Sequence, residues 1–262
     1  MLLQDKVVIV SGIGPGLGKE LAIEAAKQGA LLSICARTAS KLDDCEKEIR
    51  ALGLANPILK VATDIADLEQ CKALVAATID RYGRIDSLIN SAYNPGSFGP
   101  IEKADLDGWR AAMEVNLFGT MTLTLEVVPH MKEQGGGSIV MVNTMVTRKP
   151  MPTQGGYGAS KAALKSATAH LAIELGQYNI RVNSSYMGWM WGPPVEYYFS
   201  MMEKATGKDK DILIGEVAKN IPLGAIPDDA DCAKSVIFLA SDYSCAVTGA
   251  ALDVNGGEFI PS

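Results

Sequence analysis

The sequence predicts an α/β fold, a doubly wound parallel sheet of about seven strands with helices on both faces. Three observations carry the expectation. Short apolar, β-branched runs alternate with amphipathic segments of helical length through the 262-residue chain. Glycines stand where those segments should end, at Gly29, Gly53, Gly83 and Gly135-Gly136-Gly137. The first strand also runs into a glycine-rich turn that opens a helix, and strand, helix, strand repetition requires a parallel sheet covered on both faces.

In chain order, Lys6–Val10 reads as the first strand and Gly18–Gln28 as the helix after it. Ala30–Cys35, Pro57–Ala62 and Ser87–Asn90 are the next strands, separated by helices over Lys41–Leu52 and Leu68–Tyr82. One long helix is expected over Leu106–Gln134, followed by a strand at Ser138–Val142. A helix over Gly158–Gln177 precedes the strand Ile180–Ser185, and Asp229–Ser241 precedes the last strand, Ala251–Val254. Met187–Asn220 breaks the alternation: it is long, aromatic-rich and irregular. No linker or low-complexity tract divides the chain, so residues 1–262 read as one domain.

Bulk properties narrow the function classes. With 48% apolar residues the chain can build a large core, and its net charge of −6 carries no Lys/Arg block. A nucleic-acid or anionic-membrane partner is therefore not expected, and a small ligand is. No transmembrane-length apolar run and no secretory leader are visible, so a cytoplasmic location is expected. Five cysteines without a Cys-x-x-Cys pair, and two histidines, His130 and His170, offer no metal site. Gly-x-Ser-x-Gly is absent, which removes the serine-hydrolase option.

The turn Ser11-Gly12-Ile13-Gly14-Pro15-Gly16-Leu17-Gly18 follows a strand and feeds a helix. There, backbone N–H groups and the helix N-terminus can hold a pyrophosphate. The glycines fit Gly-x-x-x-Gly-x-Gly at Gly12, Gly16 and Gly18 rather than Gly-x-Gly-x-x-Gly, which suits a longer turn. Strand two ends in Cys35-Ala36-Arg37-Thr38, where a ribose-binding carboxylate would mark NAD. Arg37 offers a guanidinium fork to a 2′-phosphate and Thr38 a further hydrogen bond, so NADP(H) is favoured. Asp64 and Ile65 follow strand three, with Asp64 able to accept from an adenine amine. Asn90-Ser91-Ala92 lies at the carboxyl edge of strand four.

Tyr157-Gly158-Ala159-Ser160-Lys161 sets a phenol and an ammonium one helical turn apart. A lysine charge beside the phenol favours the phenolate, which makes Tyr157 a candidate general acid/base.

Together these residues resemble the short-chain dehydrogenase/reductase family, single-domain NAD(P)(H) oxidoreductases with a Rossmann-like fold. The likeness runs from about Lys6 to Gly257. It rests on the glycine loop, Asp64, Asn90-Ser91-Ala92, Asn116 in Val115-Asn116-Leu117-Phe118-Gly119, and Tyr157-x-x-x-Lys161. Arg181-Val182-Asn183, Thr248-Gly249 and Asp253-Val254-Asn255-Gly256-Gly257 complete it.

The resemblance implies a catalytic tetrad of Asn116, Thr144, Tyr157 and Lys161, with Thr144 standing where the family has serine. In the implied reaction Thr144 and Tyr157 hydrogen-bond the substrate oxygen, the nicotinamide delivers hydride, and Tyr157 supplies the proton. Lys161 lowers the tyrosine pKa and binds the nicotinamide ribose, and Asn116 holds a relay water. Gly188 and Trp189 join the cofactor-binding set by the same resemblance. Three further positions depart from the family pattern: Tyr93 for glycine, Met187 for proline and Gly192 for threonine.

Residues 187–220 lie where the family carries its substrate lid. Their large apolar side chains predict a hydrophobic pocket, with Tyr93, Met145, Met151, Trp191 and Tyr198 as its walls. A steroid, terpenoid or aromatic ketone or alcohol fits that expectation. A 3-oxoacyl thioester reductase is the alternative, and a non-catalytic NADP(H)-sensing module a third reading. The resemblance also implies a homo-oligomer, tetramer or dimer, built on the two long helices.

Overall fold

In the computed structural model, which describes residues 1–261, seven strands form one fully parallel sheet. They are β1 (Val7–Ser11), β2 (Leu31–Ala36), β3 (Ile58–Ala62), β4 (Ser87–Asn90), β5 (Gly137–Thr144), β6 (Ile180–Met187) and β7 (Ala251–Val254). Their spatial order is β3-β2-β1-β4-β5-β6-β7. The order reverses between β1 and β4, and a sheet of this kind opens its ligand crevice at that switch point.

Helices α1 (Leu17–Lys27), α2 (Ala39–Ala51) and α3 (Leu68–Tyr82) cross over between the first four strands. α4 (Leu106–Met113) and α5 (Thr120–Glu133) follow β4, α6 (Gly155–Leu175) joins β5 to β6, α7 (Pro193–Thr206) and α8 (Lys210–Ala218) follow β6, and α9 (Asp229–Ala240) leads to β7.

The strands are apolar throughout because both faces are covered. Val8 and Val10 pack with Leu21 of α1, Leu42 of α2 and Val236 of α9, while Ile9 packs on the other face with Leu74 of α3, Leu123 of α5 and Leu164 of α6. Strand register brings the carboxyl ends level: Ser11 pairs with Cys35 and Asn90, and Asn90 with Met141. β5 then runs on to Thr144, paired with Met187 of β6, and stands proud of β4 as a wall.

Two sequence expectations change. The single helix over Leu106–Gln134 is α4 and α5 joined by a wider, π-type turn at Glu114–Gly119. Such a turn inserts one residue into the helical ladder and rotates α5 relative to α4. The segment Met187–Asn220 is mostly helical rather than irregular. Pro193 and Pro194 open α7, left-handed Gly207 closes it, and the Asp209 carboxylate accepts from the Asp211 and Ile212 N–H groups to start α8. Its aromatic content masks ordinary start and stop signals.

At the amino edge Asp86 anchors the sheet. Its carboxylate accepts the Val7 N–H at 2.8 Å and is gripped by Arg84 at 2.6 Å, with Asp86 only 9% exposed. Asp86→Ala leaves that N–H unpaired, and the expected loss is about 2–3 kcal/mol. A urea denaturation midpoint that does not move in this variant refutes the anchoring role.

Candidate active site

The turn after β1 is shaped by what its glycines leave out. Gly12 has φ +83°, and a Cβ there would lie 2.7 Å from the Ser91 carbonyl carbon and closer still to the Ala92 backbone. A Cβ on Gly18 would strike the Gly12 carbonyl oxygen, and left-handed Gly16 (φ +92°) begins α1 without a side-chain cap. The turn therefore lies flat against the β4 loop, with first-turn N–H groups of α1 open to the cleft. A pyrophosphate fits this cradle, which is backbone rather than side chain and carries the positive end of the helix dipole.

From the cradle a cleft of about 700 Å³ runs along the carboxyl edge. One end is lined by Arg37, Thr38 and Lys41, then by Asp64 and Ile65. Asp64 spends one oxygen on the Ala66 N–H at 3.1 Å. Gly14, Pro15, Gly16, Leu17, Ser91, Ala92 and Gly188 line its middle. Thr144, Tyr157, Lys161, Tyr93 and Tyr198 line the other end.

At that end β5 and α6 bring the chemistry together. Thr144 is the last residue of β5; its hydroxyl accepts the Val146 N–H at 3.3 Å and lies near enough to the Tyr157 phenol to favour its ionised form. The Tyr93 ring meets the Tyr157 ring edge-on, 6.3 Å between centroids. Burial, then the neighbouring Tyr93 hydroxyl, pushes the Tyr157 pKa above the usual phenol range, while Thr144 opposes the shift. Lys161 is 2% exposed, and its ammonium donates to the Val142 carbonyl at 2.8 Å. Burial brings its pKa down to about 8. In this structure the Lys161 ammonium is turned to the β5 carbonyl, and burial is the largest influence on Tyr157.

Asn116 lies behind this wall, fully buried in the π-type turn. Its amide donates to the Asn94 carbonyl at 2.8 Å and to Ser160 Oγ at 2.9 Å, and its oxygen accepts the Asn94 N–H at 2.7 Å. Asn90 also faces away from the cleft. It donates to Thr124 Oγ1 at 3.0 Å and ties β4 to α5, which corrects its place among the cofactor-binding residues.

Four residues expected at the cleft lie elsewhere. Trp189 and Trp191 stack on Phe199, at 5.8 and 6.3 Å, within a small core under α7 and α8. Met145 is buried beneath Gly188, and Met151 sits against the Gln154 amide. Apolar bulk draws each of these to packing partners rather than to the cleft. Lys41, Asn94, Phe98, Gln154 and Asp229 also line the cleft, although no sequence motif marks them. Lys41 and Gln154 lie four and three residues from Arg37 and Tyr157, at the starts of α2 and α6; Asp229 comes from α9 and is visible only in three dimensions.

Residues 6–196 match the family model described as short chain dehydrogenase. The chain belongs to the short chain dehydrogenase family. A 3-oxoacyl-[acyl-carrier-protein] reductase of Thermotoga maritima is 34% identical over 99% of this chain and 100% of its own. L-sorbose reductase from Gluconobacter frateurii, solved with NADPH and L-sorbose, superposes with a TM-score of 0.93 at 27% identity over the whole of both chains. An NAD+-bound xylitol dehydrogenase superposes at 0.90 with 26% identity, covering 98% of this chain and 100% of its own. As a short chain dehydrogenase this protein is an oxidoreductase that uses a nicotinamide dinucleotide at a CH–OH or carbonyl carbon.

A second cavity, of about 230 Å³, opens at the opposite edge of the sheet. Its charges are satisfied internally, Lys6 by Asp242 at 2.9 Å, Arg84 by Asp86 at 2.6 Å and Arg181 by Ser244 Oγ at 2.6 Å.

The buried lysine links this dehydrogenase's active site to its stability. The folded pKa of Lys161, about 8, lies below its unfolded value of 10.5, so both states are charged below pH 8 and the desolvation penalty is then complete. That penalty, roughly 3 kcal/mol, fades as pH rises from about 8 toward 10.5, because only the unfolded state still holds the proton. Lys161→Met is expected to raise Tm at pH 7 and to lose that advantage by pH 10. A Tm difference that is flat across this range contradicts the assignment.

Proposed function

We propose that this protein is an NADP(H)-preferring alcohol dehydrogenase or ketone reductase acting on a medium-sized hydrophobic substrate, a steroid, terpenoid or aromatic ketone or alcohol. The observation that carries the reading is the pairing of Thr144 and Tyr157 on the wall of a cleft whose far end presents Arg37 and Lys41. When bound, the dinucleotide supplies the hydride.

The remaining steps belong to the chain's own groups. Thr144 Oγ1 and Tyr157 Oη hold the substrate oxygen from one side. In the reduction direction Tyr157 gives its proton to that oxygen, and the raised pKa keeps the phenol protonated and ready to do so. Lys161 places a positive charge beneath the site below about pH 8, and its stem orients α6 against β5. Asn116 positions the loop that carries Tyr93 and Asn94.

The Gly12 to Gly18 turn would hold the pyrophosphate, and Ser91, Ala92 and Gly188 line the same cleft. The nucleotide preference rests on exposed Arg37 and Thr38, joined by Lys41, at a strand end without a carboxylate. Tyr93, Phe98, Met190, Val195 and Tyr198 give the substrate end apolar walls, and α7 with α8 forms its lid. Exposed Phe118 and Leu125 near and on α5, and Ile173 on α6, suit a homo-oligomer built on these helices.

The thioester reading, a 3-oxoacyl reductase, is favoured by the Thermotoga relative. The net charge of −6 speaks against an acidic carrier protein as partner. Initial rates on acyl thioesters against cyclic and aromatic ketones separate the two.

Tyr157→Phe is expected to lower kcat about 10²- to 10⁴-fold while NADPH binding persists. Unchanged turnover in the variant removes the proposed proton donor. Tight NADPH binding by the wild type without turnover of any carbonyl marks a sensing module instead. Arg37→Ala is expected to weaken NADPH binding about 10- to 100-fold and leave NADH nearly unaffected, as read by fluorescence titration. Equal losses for both nucleotides defeat the use made of Arg37.

A further inference from the structure

We propose that Gln154 selects the substrate, gripping a second hydroxyl or keto oxygen on an otherwise apolar ketone or alcohol. The inference rests on the reductase reading above and narrows its substrate class.

Thr144, Tyr157, Asn94 and Gln154 are among the polar side chains that line the cleft, with Lys161 spent on the Val142 carbonyl. The first two face the reacting oxygen. Asn94 is spent within the protein, its oxygen accepting the Gly96 N–H at 2.9 Å and its amide donating to the Ala111 carbonyl at 3.3 Å. Its backbone is pinned on both sides by Asn116.

Gln154 differs. It precedes α6 at the N-cap position, yet its side chain makes no capping bond. The one side-chain partner in the described structure is Met151 Sδ at 3.8 Å, a long contact to a weak acceptor. Meanwhile its backbone is fixed, the carbonyl accepting the Gly158 N–H at 2.9 Å and the N–H donating to the Met151 carbonyl at 3.4 Å. The stem is held and the carboxamide is free.

Position gives that free amide its purpose. Gln154 stands three residues before Tyr157, at the start of the helix that carries it, and both line the cleft. The same cleft is lined by the aromatic rings of Tyr93, Phe98 and Tyr198, so the unpartnered carboxamide is a polar group within a largely apolar lining. A wholly apolar ligand that covers it strips the amide of water and returns nothing, a loss worth about tenfold or more in affinity. A ligand with a second oxygen near the reacting carbon restores the bond. Because the amide both donates and accepts, it serves a keto oxygen through its N–H and a hydroxyl through either atom.

The test compares kcat/KM on cyclohexanone, cyclohexane-1,2-dione and 2-hydroxycyclohexanone with NADPH. Wild type is expected to favour at least one oxygenated ketone over cyclohexanone by about tenfold or more. Gln154→Leu is expected to bring that ratio close to one, chiefly through KM, with the NADPH Kd retained as evidence of folding. Gln154→Glu, which keeps length and acceptor but loses the N–H, is expected to keep the preference for the hydroxyketone and lose that for the dione. A wild type without preference, or a Leu variant that keeps it, overturns the role of Gln154. Wild type inactive on all three ketones while binding NADPH overturns both this proposal and the reductase reading beneath it.

Discussion

Burial of the Lys161 ammonium is the constraint around which the carboxyl edge is arranged. A charged amine taken out of water is costly unless it is paired or hydrogen-bonded, and here it has the Val142 carbonyl at 2.8 Å. Holding that geometry requires α6 to lie at a fixed height against β5. The Asn143 amide provides this by donating to the Lys161 carbonyl at 3.2 Å. One residue earlier, Ser160 Oγ donates to the Tyr157 carbonyl at 2.8 Å and accepts from Asn116. Asn116 in turn holds both backbone groups of Asn94, so the lysine, the phenol and the loop after β4 belong to one network. The π-type turn makes this possible, because its extra residue re-aims the helix that carries Asn116.

Across the switch point the same edge is built on the opposite principle. Around Lys161 side-chain hydrogen bonds set the geometry, whereas at the β1 turn the absence of side chains is what matters. Gly12 lies against the backbone of residues 91 and 92 at a distance no Cβ permits, and Gly18 lies equally close to the Gly12 carbonyl. Ser11 Oγ completes the contact by accepting the Ser91 N–H at 3.3 Å. In the proposed reaction peptide dipoles would bind on this side and side-chain acids and bases would act on the other, with one dinucleotide spanning both.

How much of this could be read in advance depends on whether a signal was local. β4 and β7 fall at their expected bounds because each is a short apolar run closed by turn residues. α6 and its Tyr157–Lys161 face follow from helical spacing alone. Long-range packing was not legible: Trp189 and Trp191 have the composition of a pocket wall, yet Phe199 draws them into a small core. Nor was the direction of the Tyr157 shift, since spacing places Lys161 nearby but does not say that its ammonium turns to Val142. Gln154 carries no signal in sequence because glutamine is ordinary there and becomes informative only when its hydrogen-bond partners are known.

The departure at Gly192 shows the same dependence on remote residues. A Cβ at that position would strike the Asp229 carboxylate, while a Cβ on Gly16 would lie 3.2 Å from Pro194 and 3.5 Å from Asp229. Three elements, the β1 turn, the base of α7 and the start of α9, therefore meet around one carboxylate. The Asp229 backbone is fixed beside that position, its N–H donating to the Trp191 carbonyl at 2.9 Å. Burial raises the pKa of Asp229, and burial followed by the Asp229 charge raises that of Glu20, so the corner resists any further negative charge. A threonine at 192 thus requires Asp229 to move, and the glycine is one half of a pair whose other half lies 37 positions along the chain. Taken alone, Gly192 looks like a lost hydrogen bond; beside Asp229, it leaves room for a carboxylate where α7 and α9 meet.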